Sequence, residues 1–322
     1  MRALSTLPGL SFALALAATG CRASSHPLEL SPLGKAVAST TMVNVLAKPG
    51  PIEFETVVSA DWEIFRSGLI NLDHEKSKAA GLEDGAEPIQ IYFHVLHHPK
   101  HGSFIVDTGV ETLQRIYPKK ALLRGLVGKV MNVDKMTVHQ GLGEWLRGNR
   151  VRLSGVFLTH LHVDHVSGMR DVPKGTPIYL GPGEVHDRLF QNVFVAPIIN
   201  RALEGQHALL EWQFQADAEG RFAGVLDVFG DQSVFAIHVP GHTPGSTAYL
   251  VRSTRGPVLL LGDACHTRWG WENGVEPGSF SSDQATSRVS LDRLRALVES
   301  HPSIVVRLGH QSVRPEPIPD AQ

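Results

Sequence analysis

The sequence predicts a layered α/β domain. Three observations carry that expectation: short apolar runs of strand type recur along most of the chain, segments of helical pattern alternate with them, and the composition is that of a folded globular protein. Of 322 residues, 42% are hydrophobic and 19% charged, far from the profile of a disordered or fibrous chain. The formal charge is -2, and no lysine or arginine run is long enough to track a phosphate backbone, so nucleic acid is excluded as a partner.

The first 21 residues read as an export signal. Arg2 precedes an apolar stretch from Leu10 to Ala18, followed by Ala18-Thr19-Gly20-Cys21. The stretch is far short of the ~20 residues a membrane-spanning helix needs. Its ending resembles the bacterial lipobox, with Ala18 where leucine is usual, which implies a lipid on Cys21 and residence in the cell envelope, facing the periplasm or exterior. The lipid is then the chain's only expected contact with a membrane. Cys265 is the only other cysteine, so acylation of Cys21 leaves no intramolecular disulfide. Residues 22–54, rich in Ser, Ala and Pro with weak periodicity, read as a flexible tether, and residues 55–322 as the folded domain.

That domain opens with strand-like FETVVSADWEIF. IQIYFHVL and SFIVDTG follow, joined by a His-Pro-Lys-His-Gly turn in hairpin grammar. Residues 120–148 carry helical composition, and VRLSGVFL is a buried strand ending at Thr159. PIYLG, SVFAIHV, TAYLVRS and PVLLL read as further strands, and SLDRLRALVES as a helix. FQNVFVAPIINRAL reads as a core helix rather than a flap, because apolar stripes at helical spacing pack inward.

The chemistry is concentrated in THLHVDH, which supplies His160, His162, Asp164 and His165 directly after a buried strand. Residues i and i+2 of an extended chain project to one side, so His160 and His162 can grip one cation together, while the turn swings Asp164 and His165 toward a neighbouring position. Farther on, GHTPGS supplies His242, GDA supplies Asp263 and LGH supplies His310, each after a strand.

This order of motifs, HxHxDH, GHTPGS, GDA and GH, resembles the metallo-β-lactamase superfamily over roughly residues 55–315. The resemblance implies an αββα sandwich, two mixed sheets face to face with helices outside. It implies that His160, His162 and His242 hold one metal ion, that Asp164, His165 and His310 hold a second, and that Asp263 bridges them. Asp107, in Asp-Thr-Gly, is the candidate acceptor for a ligand imidazole. Imidazole and carboxylate donors suit two zinc ions, while iron, manganese or cobalt fit the same set. A water between two such cations is acidified to hydroxide near neutral pH and aimed at an electrophile. Asp164 is the residue to orient it or take its proton.

Among branches of the superfamily, Asp263 disfavours the zinc β-lactamases, and export without a basic surface disfavours the nucleases. The remaining layout is similar to the N-acyl-homoserine lactonases and organophosphate hydrolases. The lactonases carry a tyrosine in a DASYT-like segment, whereas this chain has DACHT, placing His266 there as the second catalytic candidate. The expectation is hydrolysis of a small-molecule carboxylic ester or lactone. The alternatives are an aryl phosphotriester hydrolase, a β-lactamase or thioesterase of the same superfamily, and a metal-containing binding lipoprotein of the envelope. His94, His97, His98 and His101 read as strand and turn histidines facing solvent, because no carboxylate or cysteine sits at matching spacing. Cys265 reads as a small buried apolar residue, and Trp269 and Trp271 as either core or pocket wall.

Overall fold

The computed structural model describes residues 22–188 and 192–313. In chain order its strands are β1 (Leu28–Leu30), β2 (Lys35–Ala36), β3 (Glu53–Phe65), β4 (Ala86–His98), β5 (Gly102–Val106), β6 (Thr137–Val138) and β7 (Leu153–Phe157). They continue as β8 (Ile178–Leu180), β9 (Leu209–Glu211), β10 (Gly224–Asp227), β11 (Val234–His238), β12 (Thr247–Ser253), β13 (Gly256–Leu260) and β14 (Val305–Arg307). One sheet has the order β1-β9-β8-β7-β5-β4-β3-β6 and the other β14-β13-β12-β11-β10-β2.

Both sheets are mixed. The β3–β4–β5 meander is antiparallel, with Glu53 opposite His97 and His94 opposite Val106, and β5, β7, β8 and β9 continue in parallel. In the second sheet β10 to β13 are antiparallel and β14 joins β13 in parallel. Side-chain alternation sorts residues into layers. Phe104, Phe157, Tyr249 and Val251 enter the core between the sheets, while their neighbours Ile105 and Val156 face one outer layer and Ala248 and Leu250 the other. Helix Leu142–Gly148 packs Leu142, Trp145 and Leu146 on the first outer face, and helix Gln284–Ser300 packs Leu291, Leu294 and Leu297 on the second. The result is the expected four-layer αββα sandwich.

The N-terminal segment departs from the expectation. Residues 22–54 do not form a free tether: Ala23 is buried, β1 pairs in parallel with β9, β2 pairs with β10, and Met42 and Leu46 enter the second outer core. The edge strands β9 and β10 present unpaired backbone groups, and these two short strands cover them. These two strands are short and largely exposed, so they carry no apolar run, which hides them in the sequence. Residues 120–148 are also less helical than their composition suggests, forming two short helices, Gly125–Val130 and Leu142–Gly148, around one 3₁₀ turn and β6. The segment after β8 forms helix Asn192–Ala202, which buries Ile198 and Ile199 and leaves Phe194 exposed. No helix among the described residues is long and apolar enough to cross a membrane. The export signal and Cys21 lie outside the described residues.

Candidate metal centre

The site forms where several strands end. β5 runs into Asp107, β7 into the segment from Thr159 to His165, β13 into Asp263 and β14 into His310, while His242 sits in the connection from β11 to β12. Open α/β sheets collect functional groups at such carboxyl ends. The backbone stays extended through His162, at φ -77 and ψ 158, and then enters the helical turn Val163–Val166, which swings Asp164 and His165 away from His160 and His162.

The seven residues converge into two groups. His160, His162, His242 and Asp263 form one, and Asp164, His165, Asp263 and His310 the other; within each group one ligand atom per residue lies within 4.8 Å of all the rest. Asp263 belongs to both. Its Oδ2 lies 3.6 Å from His160 Nε2, 3.5 Å from His242 Nε2 and 3.3 Å from His165 Nε2, and its Oδ1 lies 3.3 Å from His310 Nε2. Gly309 makes room for this carboxylate, since a Cβ there would fall 2.2 Å from Asp263 Oδ1.

The rings are aimed by bonds on their far sides. His165 Nδ1 donates to Asp107 Oδ2 at 2.8 Å, His310 Nδ1 to the Gln90 carbonyl at 3.0 Å, and His266 Nδ1 to the Leu69 carbonyl at 3.0 Å. Each bond fixes the proton on Nδ1 and turns Nε2 toward the centre. Asp107 also accepts the Thr159 amide at 2.8 Å and the Thr159 hydroxyl, and holds a left-handed backbone at φ 58 to do so.

The donor set fits cations. Among the described residues, buried His160 Nε2, His165 Nε2 and Asp263 Oδ1 find no hydrogen-bond partner, and each buried polar atom left so costs ~1–3 kcal/mol. His162 Nδ1 and His242 Nε2 face each other at 2.9 Å. Burial, reinforced by neighbouring imidazoles, holds His160 and His242 well below the usual histidine range, and burial also lowers His162, so all three present lone pairs. In the other group burial opposes charge, but Asp263, Asp107 and Asp164 outweigh it and raise His165, while Asp263 and Asp164 push His310 up to about 10. Carboxylates that favour positive charge on these imidazoles also favour a divalent cation between them.

His266 joins the cluster at 1% exposure, with Nε2 3.0 Å from Asp263 Oδ2 and its ring stacked on His310 at 5.6 Å. It therefore points at the shared carboxylate. Asp164, with a side chain 20% exposed, and the half-buried His162 are the ligand candidates that reach the surface and mark the mouth of the site.

Other sequence candidates lie apart from this centre or take different roles in it. Cys265 is buried in the second outer core with its thiol pushed up to about 12 by burial, and its Sγ meets the Thr267 carbonyl at 3.4 Å, so it stays protonated. Trp271 packs against that same core, while Trp269 packs with the cluster containing Leu69 and Ile70, beside the carbonyl that holds His266. Contrary to the solvent-facing expectation, His94 and His98 are buried, and burial with nearby Arg307 pushes His94 down to about 3. A carboxylate does reach this histidine cluster, Asp231 from the β10–β11 connection, 2.9 Å from His98 Nε2. Sequence spacing could not show it across that separation. His98 Nδ1 accepts the amides of Lys100 and His101, so Nε2 carries the proton and donates it to Asp231. With both ring nitrogens used, that trio reads as a hydrogen-bonded turn rather than a metal site.

Comparison with known proteins agrees with the geometry. Residues 86–310 match the family described as the metallo-beta-lactamase superfamily, and the chain belongs to it. It is accordingly a metal-dependent hydrolase by family. Among its relatives, an N-acyl homoserine lactonase AttM of Agrobacterium fabrum is 33% identical over 156 residues, 48% of this chain and 57% of that protein, so the chain matches little more than half of that relative's length. The N-acyl homoserine lactonase AttM of Azorhizobium caulinodans is 29% identical over 235 residues, 69% of this chain and 82% of that protein. A crystal structure of a quorum-quenching N-acyl homoserine lactone lactonase superposes with a TM-score of 0.56 at 18% identity, covering 82% of this chain and 93% of that one. That of a hydrolase in the beta-lactamase superfamily, AbOPH, gives 0.51 at 13% identity, covering 88% and 91%. These structural likenesses concern the fold.

Proposed function

We propose that this chain is a binuclear hydrolase, using two divalent ions of which zinc fits the donors best, and that it cleaves a small-molecule carboxylic ester or lactone. The observation that carries the reading is the pair of buried ligand groups sharing Asp263. Structural zinc sites are normally single and closed, whereas this pair opens at Asp164 and His162. The lactonase relatives support the substrate class. Cations bound there would acidify a water and polarise the group it attacks.

The chain's own residues supply the rest. Asp164 combines a place among the ligands with partial exposure, which suits it to orient the attacking water and take its proton. His266 has Nδ1 committed to Leu69, leaving Nε2 as the atom that can hold a proton beside the leaving oxygen. Asp107 fixes the tautomer of His165.

The test is a turnover screen of purified, metal-loaded protein on an N-acyl homoserine lactone, an aryl ester, a phosphotriester, a thioester and a β-lactam. Esters or lactones should be fastest. Phosphotriester turnover above every ester would move the enzyme to the organophosphate branch. No metal-dependent turnover on any substrate would leave a binding lipoprotein.

The export signal and Cys21 support a proposed place in the cell envelope through an N-terminal lipid. With Ala23 bonded to the Asp187 carbonyl and Ser24 to Asn200, a lipid on Cys21 would hold the domain against the membrane with only Arg22 between them.

A further inference from the structure

Glu184, which no sequence motif singles out, sits in the helical turn after β8 at 1% exposure. Its carboxyl group spans two loops that carry candidate ligands. Oε2 accepts the amide of Leu161, the residue between His160 and His162, at 2.8 Å. Oε1 accepts the Thr243 hydroxyl and the Gly245 amide, the latter at 2.8 Å, in the loop that begins with His242. Thr243 is itself locked, with its amide on Ser246 Oγ at 3.0 Å.

The backbones around this carboxyl are pressed together. A Cβ on Gly181 would lie 1.7 Å from the Gly245 carbonyl oxygen, and one on Gly245 would lie 2.6 Å from the Gly181 carbonyl carbon. Only glycine at both places lets the turn bearing Glu184 reach the His242 loop. Burial pushes the Glu184 carboxyl up to about 7 despite these donors, the mark of a group kept inside at a cost.

We propose that Glu184 is a positioning residue that sets the separation of His160 and His162 from His242, and so tunes the affinity of that ligand group for its cation. This rests on the binuclear reading above. The selectivity follows from the contacts: Glu184 bonds the loops of His160, His162 and His242, whereas His165 is held by Asp107 and His310 by the Gln90 carbonyl. A glutamine cannot replace it. Both carboxyl oxygens accept an N–H, so the amide nitrogen of glutamine would face a donor on either arm.

The test is zinc release from the full chain to a chromophoric chelator, resolved into two ions. In Glu184→Gln the ion of the His160, His162 and His242 group should bind ~10–100-fold more weakly, the range for partners that orient ligands, with the other ion weakened far less. Asp107→Asn should weaken the opposite ion more than this one, the reverse of Glu184→Gln. Thr243→Val should weaken the same ion as Glu184→Gln by a smaller factor, and add little to it when combined. Wild type holding two ions, with Glu184→Gln releasing both as wild type does, overturns this inference alone. Equal weakening of both ions, or Thr243→Val at wild-type affinity should Glu184→Gln fail to fold, also overturns it. Wild-type protein that takes up fewer than two ions overturns the binuclear reading and this inference together.

Discussion

Replacing Asp107 with asparagine isolates one property of the centre, the tautomer of His165. Asparagine has nearly the same shape and tolerates the left-handed backbone that Asp107 adopts at φ 58, so the turn stays unstrained. Its oxygen can keep the Thr159 amide at 2.8 Å. Its nitrogen then replaces the oxygen 2.8 Å from His165 Nδ1 and presents a donor where an acceptor stood. The His165 proton moves to Nε2, which faces Asp263 and is the atom needed for a cation. Disturbing such a partner costs about 10–100-fold in metal affinity, or ~1.4–2.7 kcal/mol at 1.36 kcal/mol per tenfold. Because the folded state alone assembles the site, saturating zinc loses the same stabilisation, and for a domain of this size the melting temperature of the zinc-loaded protein should fall by ~2–5 °C. Competition titration against a chromophoric chelator and thermal melts with and without zinc measure both effects. Wild-type zinc affinity in Asp107→Asn, or an equal fall in melting temperature with zinc stripped away, would refute the argument that the carboxylate works through the His165 tautomer.

Three further outcomes are expected. Asp263→Ala removes the oxygen atoms common to both ligand groups, so elemental analysis should show loss of at least one ion and turnover should fall to near background while far-UV circular dichroism stays native; unchanged turnover would reject the shared ligand. His266→Phe should lower the turnover number ~10²–10⁴-fold if the ring acts as a general acid, with metal content intact and an alkyl lactone suffering more than an aryl ester with a good leaving group; metal loss, or equal losses on both substrates, would show that His266 serves only to hold Asp263. Cys21→Ser should shift the protein from the membrane to the soluble fraction, and mass spectrometry showing an unmodified mature N-terminus in wild type would remove the lipid anchor without touching the enzyme.

Local signals were strong enough in the sequence to identify the layers and the ligand candidates. Apolar alternation marked β3, β4, β5 and the strands from β11 onward, because each is long enough, or apolar enough, to show its period. The residues of THLHVDH announce themselves because four ligand residues within six positions, behind a buried strand, are chemically conspicuous, and His242, Asp263 and His310 each follow a strand in the order their motifs suggest. What tertiary structure decided is everything that depends on a partner distant in the chain. Leu28–Leu30 became a strand only because β9 offered an open edge, and Asp231 met His98 only because β10 and β11 turn back toward the β4–β5 hairpin. The same holds at the centre. That His266 faces Asp263, that Asp107 commands His165, and that Glu184 spans the loops of His160 and His242 are facts of three-dimensional packing. Hydrogen bonds act over about 3 Å of space, and sequence spacing constrains such distances only within a turn or a strand.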